Sequence, residues 1–414
     1  MVIITRGVGG AAEGMWAVLS ALSAKWRLHA ALQALGGGAP SSLQPAARDL
    51  SALCKHPRDS FVRVQLPLTT SPSLRAAMLN ARGHLRVGRL LEEMDAFSGV
   101  VAQLHCDDGD GARAAPLLVT AAFDRIDLLV GGGGVGGGAL SASQDLELAG
   151  CVTWAGRSSL NIDLDVVGVG GRPLLRASTT FVARDATGAP VLVPQLATPL
   201  TPLEAALRGS GRAATEARKA AAAASLLRAP PSAAELAAVH ALFVASQGLP
   251  QGPWTEGTRL TSTSVTMPDQ KNVYGRVFGG HLMRLGYEIA WAAGWRATGN
   301  APRFLGCSDV LFRAPVEVGT LLHLSAEVAF ARGGVFTVVV DFAAETPRSA
   351  ESPSVVSTNQ MTFHFSTEDG SPAPSLFPKS YSAAMRWVAA SRHLDHAANA
   401  AAAAAAAPRF PREW

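Results

Sequence analysis

The feature that most constrains this chain is a repeat. Asn80-Ala-Arg-Gly83 precedes Gly88 by the same interval as Asn272-Val-Tyr-Gly275 precedes Gly280, and one offset of 192 residues relates all three positions. At that offset Leu90-Leu91 falls on Leu282-Met283. The flanking segments share a grammar too. Each block has a loop, then one long apolar helix, then several alternating strands. The spacing places the helices at 87–101 and 280–297. It places strands at 117–123, 146–154, 160–167 and 174–183 in the first block, and at 304–312, 321–330, 336–344 and 355–365 in the second. Leu160, Ile162, Leu164 and Val166 share one face of a strand, with Asn161, Asp163 and Asp165 on the other. That is the period of a half-buried antiparallel strand. An apolar sheet face must be covered, and each block offers one helix to do it. The order of elements therefore describes an internal duplication with an α+β fold, in which each copy is an antiparallel sheet wrapped around a central helix.

Composition bounds what surrounds the two blocks. The chain has 414 residues, 48% hydrophobic and 16% charged, enough apolar material for two or three domains and too much for wholesale disorder. A net charge of +4 is too small and too dispersed to argue for nucleic acid. Four cysteines without a CxxC pair support neither a disulfide framework nor zinc, and fit a reducing compartment. Ten histidines show no HExxH spacing, so no metal site is expected. Neither Gly-x-Ser-x-Gly nor a Walker loop occurs. The apolar stretch 15–24 stops at Lys25, far short of the roughly 20 residues a bilayer requires, so no stable membrane insertion is expected.

The divisions follow. Residues 1–59 form a leader with one acid before Arg48 and with Trp16, Leu19, Leu22 and Trp26 at helical spacing. It reads equally as an organelle transit peptide or as an ordinary N-terminal helix. Residues 60–200 are the first domain, and 131–138 within it read as an expanded glycine loop. A helical linker spans 201–253, with a short helix at 233–245 capped by Ser232 and Glu235. The second domain is 254–368, and 369–414 is a low-complexity tail in which no function is expected.

The most specific stretch runs from Met267 to Glu288. Its Asn272-Val-Tyr-Gly-Arg-Val-Phe-Gly279-Gly280 resembles the acyl-CoA thioesterases of the hotdog fold, in which an Asn-x-x-Gly-x-x-x-Gly-Gly loop enters the central helix. Phe312-Arg-Ala-Pro-Val-Glu-Val-Gly319 resembles the strand-turn-strand that follows there. Arg86-Val-Gly-Arg-Leu-Leu-Glu-Glu-Met-Asp95, Val152-Thr-Trp-Ala-Gly-Arg-Ser-Ser159 and the linker before Pro230-Pro231 are similar to the mitochondrial double-hotdog members. The resemblance covers roughly 60–368. It implies two tandem hotdog domains and hydrolysis of fatty acyl-CoA to free acid and CoA at a site between the halves. It further implies no cofactor beyond the CoA of the substrate, homo-oligomers such as trimers, and a mitochondrial location, with plastid or cytoplasm as alternatives.

The chemistry suits the residues. Backbone N–H groups at a helix start favour a developing oxyanion, and Gly279-Gly280 would let a thioester approach them. The plainer reading of the two glycines is a tight turn. A carboxylate must then activate water. Glu288 lies in an apolar run, and otherwise pairs with Arg284. Asp95 is the second candidate, and otherwise belongs to a solvated face with Glu92 and Glu93. Asn272 and Asn80 would orient the carbonyl or the water, and otherwise cap their loops. The resemblance implies sites that join a loop amide from one half to a helix acid from the other, hence Asn272 with Asp95 and Asn80 with Glu288. The first block departs from the pattern, since Val87 replaces the first glycine and its acid comes one residue sooner. Asn272 with Asp95 is therefore favoured. Arg157 and Arg332, at turns between strands, are candidates for CoA phosphates or else solvated turn residues. Two other functions stay open: a non-catalytic acyl-CoA-binding protein, and a hotdog hydratase or dehydratase. The latter needs an Asp/His pair, and His281 lies on the wrong side of the glycines for it.

Overall fold

The computed structural model describes residues 50–108, 116–129, 144–168, 171, 173–198, 200–249, 251–346, 355–406, 410–411 and 414. Nearly all of the leader and the glycine run at 131–138 lie outside the described residues.

In the first half, short β1 (Cys54–Lys55) and β2 (Val62–Leu66) lead through α1 (Pro72–Met78) to the central helix α2 (Val87–Cys106). Four long strands follow: β3 (Leu117–Leu128), β4 (Leu146–Ala155), β5 (Ser159–Val167) and β6 (Pro173–Arg184). After β7 (Gln195–Leu196), which pairs with β1, the linker holds α3 (Pro202–Ala223) and α4 (Ala233–Ser246). The second half repeats the order with β8 (Leu260–Val265), the central helix α5 (Gly279–Thr298), β9 (Pro302–Phe312), β10 (Leu321–Arg332), β11 (Val335–Glu345) and β12 (Val355–Thr367). Helix α6 (Tyr381–Ala406) comes last.

Ten strands form one sheet in the order β2-β4-β5-β6-β3-β9-β12-β11-β10-β8. Read from each edge inward, the two halves have identical topology. They are two hotdog units joined where β3 pairs antiparallel with β9, Ala122 opposite Leu311 and Asp127 opposite Gly306. At Gly306 a Cβ would stand 2.7 Å from the Ile126 carbonyl, so the close seam admits only glycine. Both central helices lie against the sheet and against each other in one continuous core that includes Leu90, Met94, Phe97, Met283, Phe336 and Phe363. Fully burying a side chain such as Phe97 stabilises the fold by roughly 1.5–3 kcal/mol.

Three features differ from the sequence reading. Each block opens on an edge strand, β2 or β8, ahead of its loop, and that strand pairs with β4 or β10. The polar face of β5 is not solvated, because α3 covers it. Asn161 and Asp165 are buried, Arg176 grips Asp165 with two bonds of 2.6 and 2.8 Å, and Ser210 of α3 bonds Asp163. Gly211 permits that approach, since a Cβ there would collide with Thr153. The segment after 369 is more than a tail. Helix α6 covers the outer face of the second half, with Trp387 5.1 Å from Phe330 and Ala390 buried. Alanine is a strong helix former, so the low-complexity composition concealed a packed helix.

A candidate active site between the halves

The two asparagine loops fold alike. Asn272 Oδ1 accepts the N–H groups of Tyr274 (2.9 Å) and Arg276 (3.1 Å). Asn80 Oδ1 accepts those of Arg82 (2.9 Å) and His84 (3.0 Å). Gly275 and Gly83 close these turns with φ of +83° and +77°, where a Cβ would be strained. The side-chain oxygen of each asparagine is thus used as a loop cap.

Each loop is anchored on the opposite half. The Tyr274 hydroxyl accepts the Leu118 N–H at the start of β3 at 3.0 Å. Burial holds the phenol above its ordinary pKa, so it stays neutral. Arg82, at the matching position of the first loop, pairs with Glu368 beyond β12.

Helix α5 then begins at Gly279-Gly280, directly on α2. A Cβ on Gly279 would stand 2.9 Å from Asp95 Oδ2 and 3.3 Å from the Phe312 ring. One on Gly280 would stand 2.9 Å from the Glu92 carbonyl. The glycine pair is therefore demanded by contact between the halves, not by a tight turn alone.

Asp95 is 2% exposed, and Thr120 of β3 donates to its Oδ1 at 2.8 Å. Its Oδ2 has no hydrogen bond of ordinary geometry, although the Gly280 N–H is near enough to steady its charge. Burial pushes the carboxyl up to about 6, against the opposing pull of Thr120 and the Gly280 N–H and with a further push from Glu92. A buried carboxylate with such a pKa, beside the positive end of a helix, is fit to take a proton near neutral pH.

The other expected positions resolve differently. Glu92 and Glu93 are buried, not solvated. Glu92 lies between Arg89 (2.6 Å) and Arg284 of α5 (3.5 Å), an ion pair across the two helices. Glu288 is 39% exposed and pairs with Arg86 of the first half at 2.5 Å, not with Arg284. At the offset of 192 residues, the counterpart of Asp95 is Tyr287, one position before Glu288. Its ring packs 5.7 to 5.9 Å from those of Phe304, Phe363 and Phe365. His281 bonds Arg284 at 2.9 Å. Arg332 is held by Asp395 of α6 at 2.7 Å, and Arg157 is exposed. Neither arginine makes a hydrogen bond or ion pair with Asn272, Asp95 or the glycine pair. Among the described residues, no group of three or more His, Cys, Asp or Glu side chains is placed to hold a metal ion. No helix there is long and apolar enough to cross a membrane.

Sequence reasoning missed Thr120. The available signal was its phase in β3, since Leu118 is buried and Val119 exposed, so Thr120 faces inward with Leu118.

Several known proteins are similar to this chain over most of its length. No family model matches it. Acyl-coenzyme A thioesterase 9, mitochondrial, of Homo sapiens is 32% identical over 354 residues, which is 82% of this chain and 77% of the human protein. Acyl-coenzyme A thioesterase 10, mitochondrial, of Mus musculus is 31% identical over 354 residues, 81% of this chain and 77% of the mouse one. Acyl-coenzyme A thioesterase 2, chloroplastic, of Humulus lupulus is 30% identical over 298 residues, 67% and 65% of the two chains. A solved structure of a putative oleoyl thioesterase from Lactobacillus plantarum superposes with a TM-score of 0.43 at 9% identity, covering 76% of this chain and 97% of that one. The chain belongs to the acyl-coenzyme A thioesterase family.

Proposed function

We propose that this chain hydrolyses fatty acyl-CoA to free acid and CoA at one working site between its halves, with Asp95 as general base. The observation that carries the reading is the Asp95 carboxylate of the first half, buried against the Gly279-Gly280 helix start of the second. In the proposed reaction Asp95 takes a proton from water as that water attacks the thioester carbonyl. The carbonyl oxygen, turning negative, is met by N–H groups at the start of α5 and by the Asn272 amide nitrogen. Collapse of the adduct expels the CoA thiolate. Thr120 positions Asp95, and Tyr274 positions the Asn272 loop. Such a base beside an oxyanion-binding helix start favours hydrolysis over passive acyl-CoA binding. No cofactor beyond the CoA of the substrate takes part.

The protein acts as a homo-oligomer in this proposal. Support comes from α4, where Leu236, Phe243 and Val244 are each about half exposed or more. A mitochondrial location is proposed from the names of the human and mouse relatives, with the plastid as the alternative that the hop relative raises. The test is CoA release from acyl-CoA, followed with a thiol reagent before and after EDTA dialysis. Metal-independent release is expected, and a rate restored only by added metal contradicts the mechanism.

A further inference from the structure

The duplication leaves a second helix start that lacks the first glycine and the matching acid but keeps its cleft. Val87 stands where the other half has Gly279, and Tyr287 where it has Asp95. The loop before it is intact, with the Asn80 turn and Gly83 in place. A cavity opens here, between this loop, α5 and the start of β9. Its apolar wall includes Val87, Tyr287 and Phe304, and Trp291, fixed by a 2.8 Å bond from its indole N–H to the Pro302 carbonyl. The polar side carries Asn80, Arg82 and Arg303. Glu368, the acid in this lining, is taken by Arg82. Arg303 has no acid partner among the described residues, and its Nε is buried without a hydrogen bond. Leaving a buried donor of a charged group unmet is costly, and an anion would remove that cost.

We infer that this cleft is a non-catalytic site for a fatty carboxylate, with the carboxylate on Arg303 and the chain along Tyr287, Trp291 and Phe304. A thioester carbonyl is neutral and would leave the guanidinium unmet, whereas a carboxylate matches it. The identity of the ligand rests on the proposed hydrolysis, which yields one such acid per turnover. The two clefts then differ in sign. Above about pH 6 the working site carries the Asp95 charge and repels the product, while the second cleft attracts it.

The test is titration calorimetry of the full chain with octanoate and with laurate at about pH 7.5, alongside CoA release. Saturable binding of at least one acid is expected. Arg303→Gln should weaken it about tenfold or more, as for loss of a charged hydrogen bond. Its CoA release should stay within about twofold, which also shows that it folds. Arg303→Lys should recover part of the affinity, and Asp95→Asn should keep the Arg303-dependent binding. If neither acid binds, or if Arg303→Gln binds like the wild type, the inference is overturned. Arg303-dependent binding in a protein that releases no CoA would support the site and reject the thioesterase reading, so the two failures are separable.

Discussion

Tyr287 stands in the second central helix where Asp95 stands in the first. Both side chains face the glycine-bearing start of the opposite helix. A Cβ on Gly88, the match of Gly280, would lie 3.3 Å from the Tyr287 ring, and one on Gly279, the match of Val87, would lie 2.9 Å from Asp95 Oδ2. The scaffold is symmetric at these positions, and the chemistry is not. One helix start meets a buried carboxylate, and the other meets a phenol packed among phenylalanines.

The two acids should therefore be unequal. Loss of a catalytic base commonly costs about 10²–10⁴-fold in rate. Asp95→Asn should lose kcat on that scale with KM little changed, because no CoA contact is removed. Glu288→Gln removes only a half-exposed ion pair with Arg86, so its rate should stay within about threefold. Steady-state kinetics of both variants on one acyl-CoA decide the point, and the reverse ranking would assign the site to Asn80 and Glu288.

The same substitution should stabilise the protein. Folding raises the Asp95 pKa from 3.8 to about 6, so the folded state prefers the protonated acid. The ionised form then destabilises the fold by up to about 3 kcal/mol, at about 1.4 kcal/mol per pH unit of difference. That cost is fully present above pH 6 and is gone below pH 3.8. Asp95→Asn escapes it. Denaturant melts should show the variant more stable than wild type at pH 8, with the gap closing as the pH falls toward 4. A variant less stable at pH 8 would mean that Asp95 serves the fold and not the reaction.

Much of this arrangement was legible in the chain. The 192-residue offset and the strand periods gave both central helices and the eight long strands, since a repeated pattern supports each element twice. Gly279-Gly280 was visible as a candidate because paired glycines are poor choices for a helix without a reason, and Asp95 because the resemblance sets a helix acid of the first half against the Asn272 loop. Their contact was implied by resemblance, and only the fold supplies it physically. Glu288 looks buried from its apolar run, yet Arg86 arrives from the other half and holds it at the surface. Thr120 was obscure, because a threonine is an ordinary strand residue until an acid is seen opposite it. Edge strands β2 and β8 were read as loop, being short and paired only with strands distant in sequence.

The pH profile should report Asp95 directly. A base must be ionised to act, so kcat/KM should fall about tenfold per pH unit below about 6 and level off above. Thr120 bonds the charged form and holds this value down. Thr120→Val removes that bond at nearly constant volume, so the acid limb should move upward by about one pH unit. Above the limb the variant should keep much of its rate. A limb that stays put while the rate falls at every pH would show that Thr120 acts on something other than Asp95.

Gly279→Ala tests whether the helix start must lie bare against Asp95. The added methyl would sit 2.9 Å from Asp95 Oδ2, closer than real Cβ contacts come, and 3.3 Å from the Phe312 ring. Either the carboxylate swings away from Thr120 or α5 withdraws from α2. The first outcome misplaces the base, and the second retracts the N–H groups offered to the oxyanion. A displacement of about 1 Å in such a site can cost on the order of 100-fold in rate. Alanine would otherwise improve the helix over glycine by up to about 1 kcal/mol, so stability should change little while kcat falls steeply. The reverse change in the other half, Val87→Gly, should gain no activity, because the group facing it is Tyr287 and the neighbouring Glu288 is held by Arg86. Stopped-flow CoA release and a thermal melt on each variant separate these effects. Full activity in Gly279→Ala would show that the thioester does not approach the backbone at this point, and the oxyanion contact would have to lie elsewhere on the Asn272 loop.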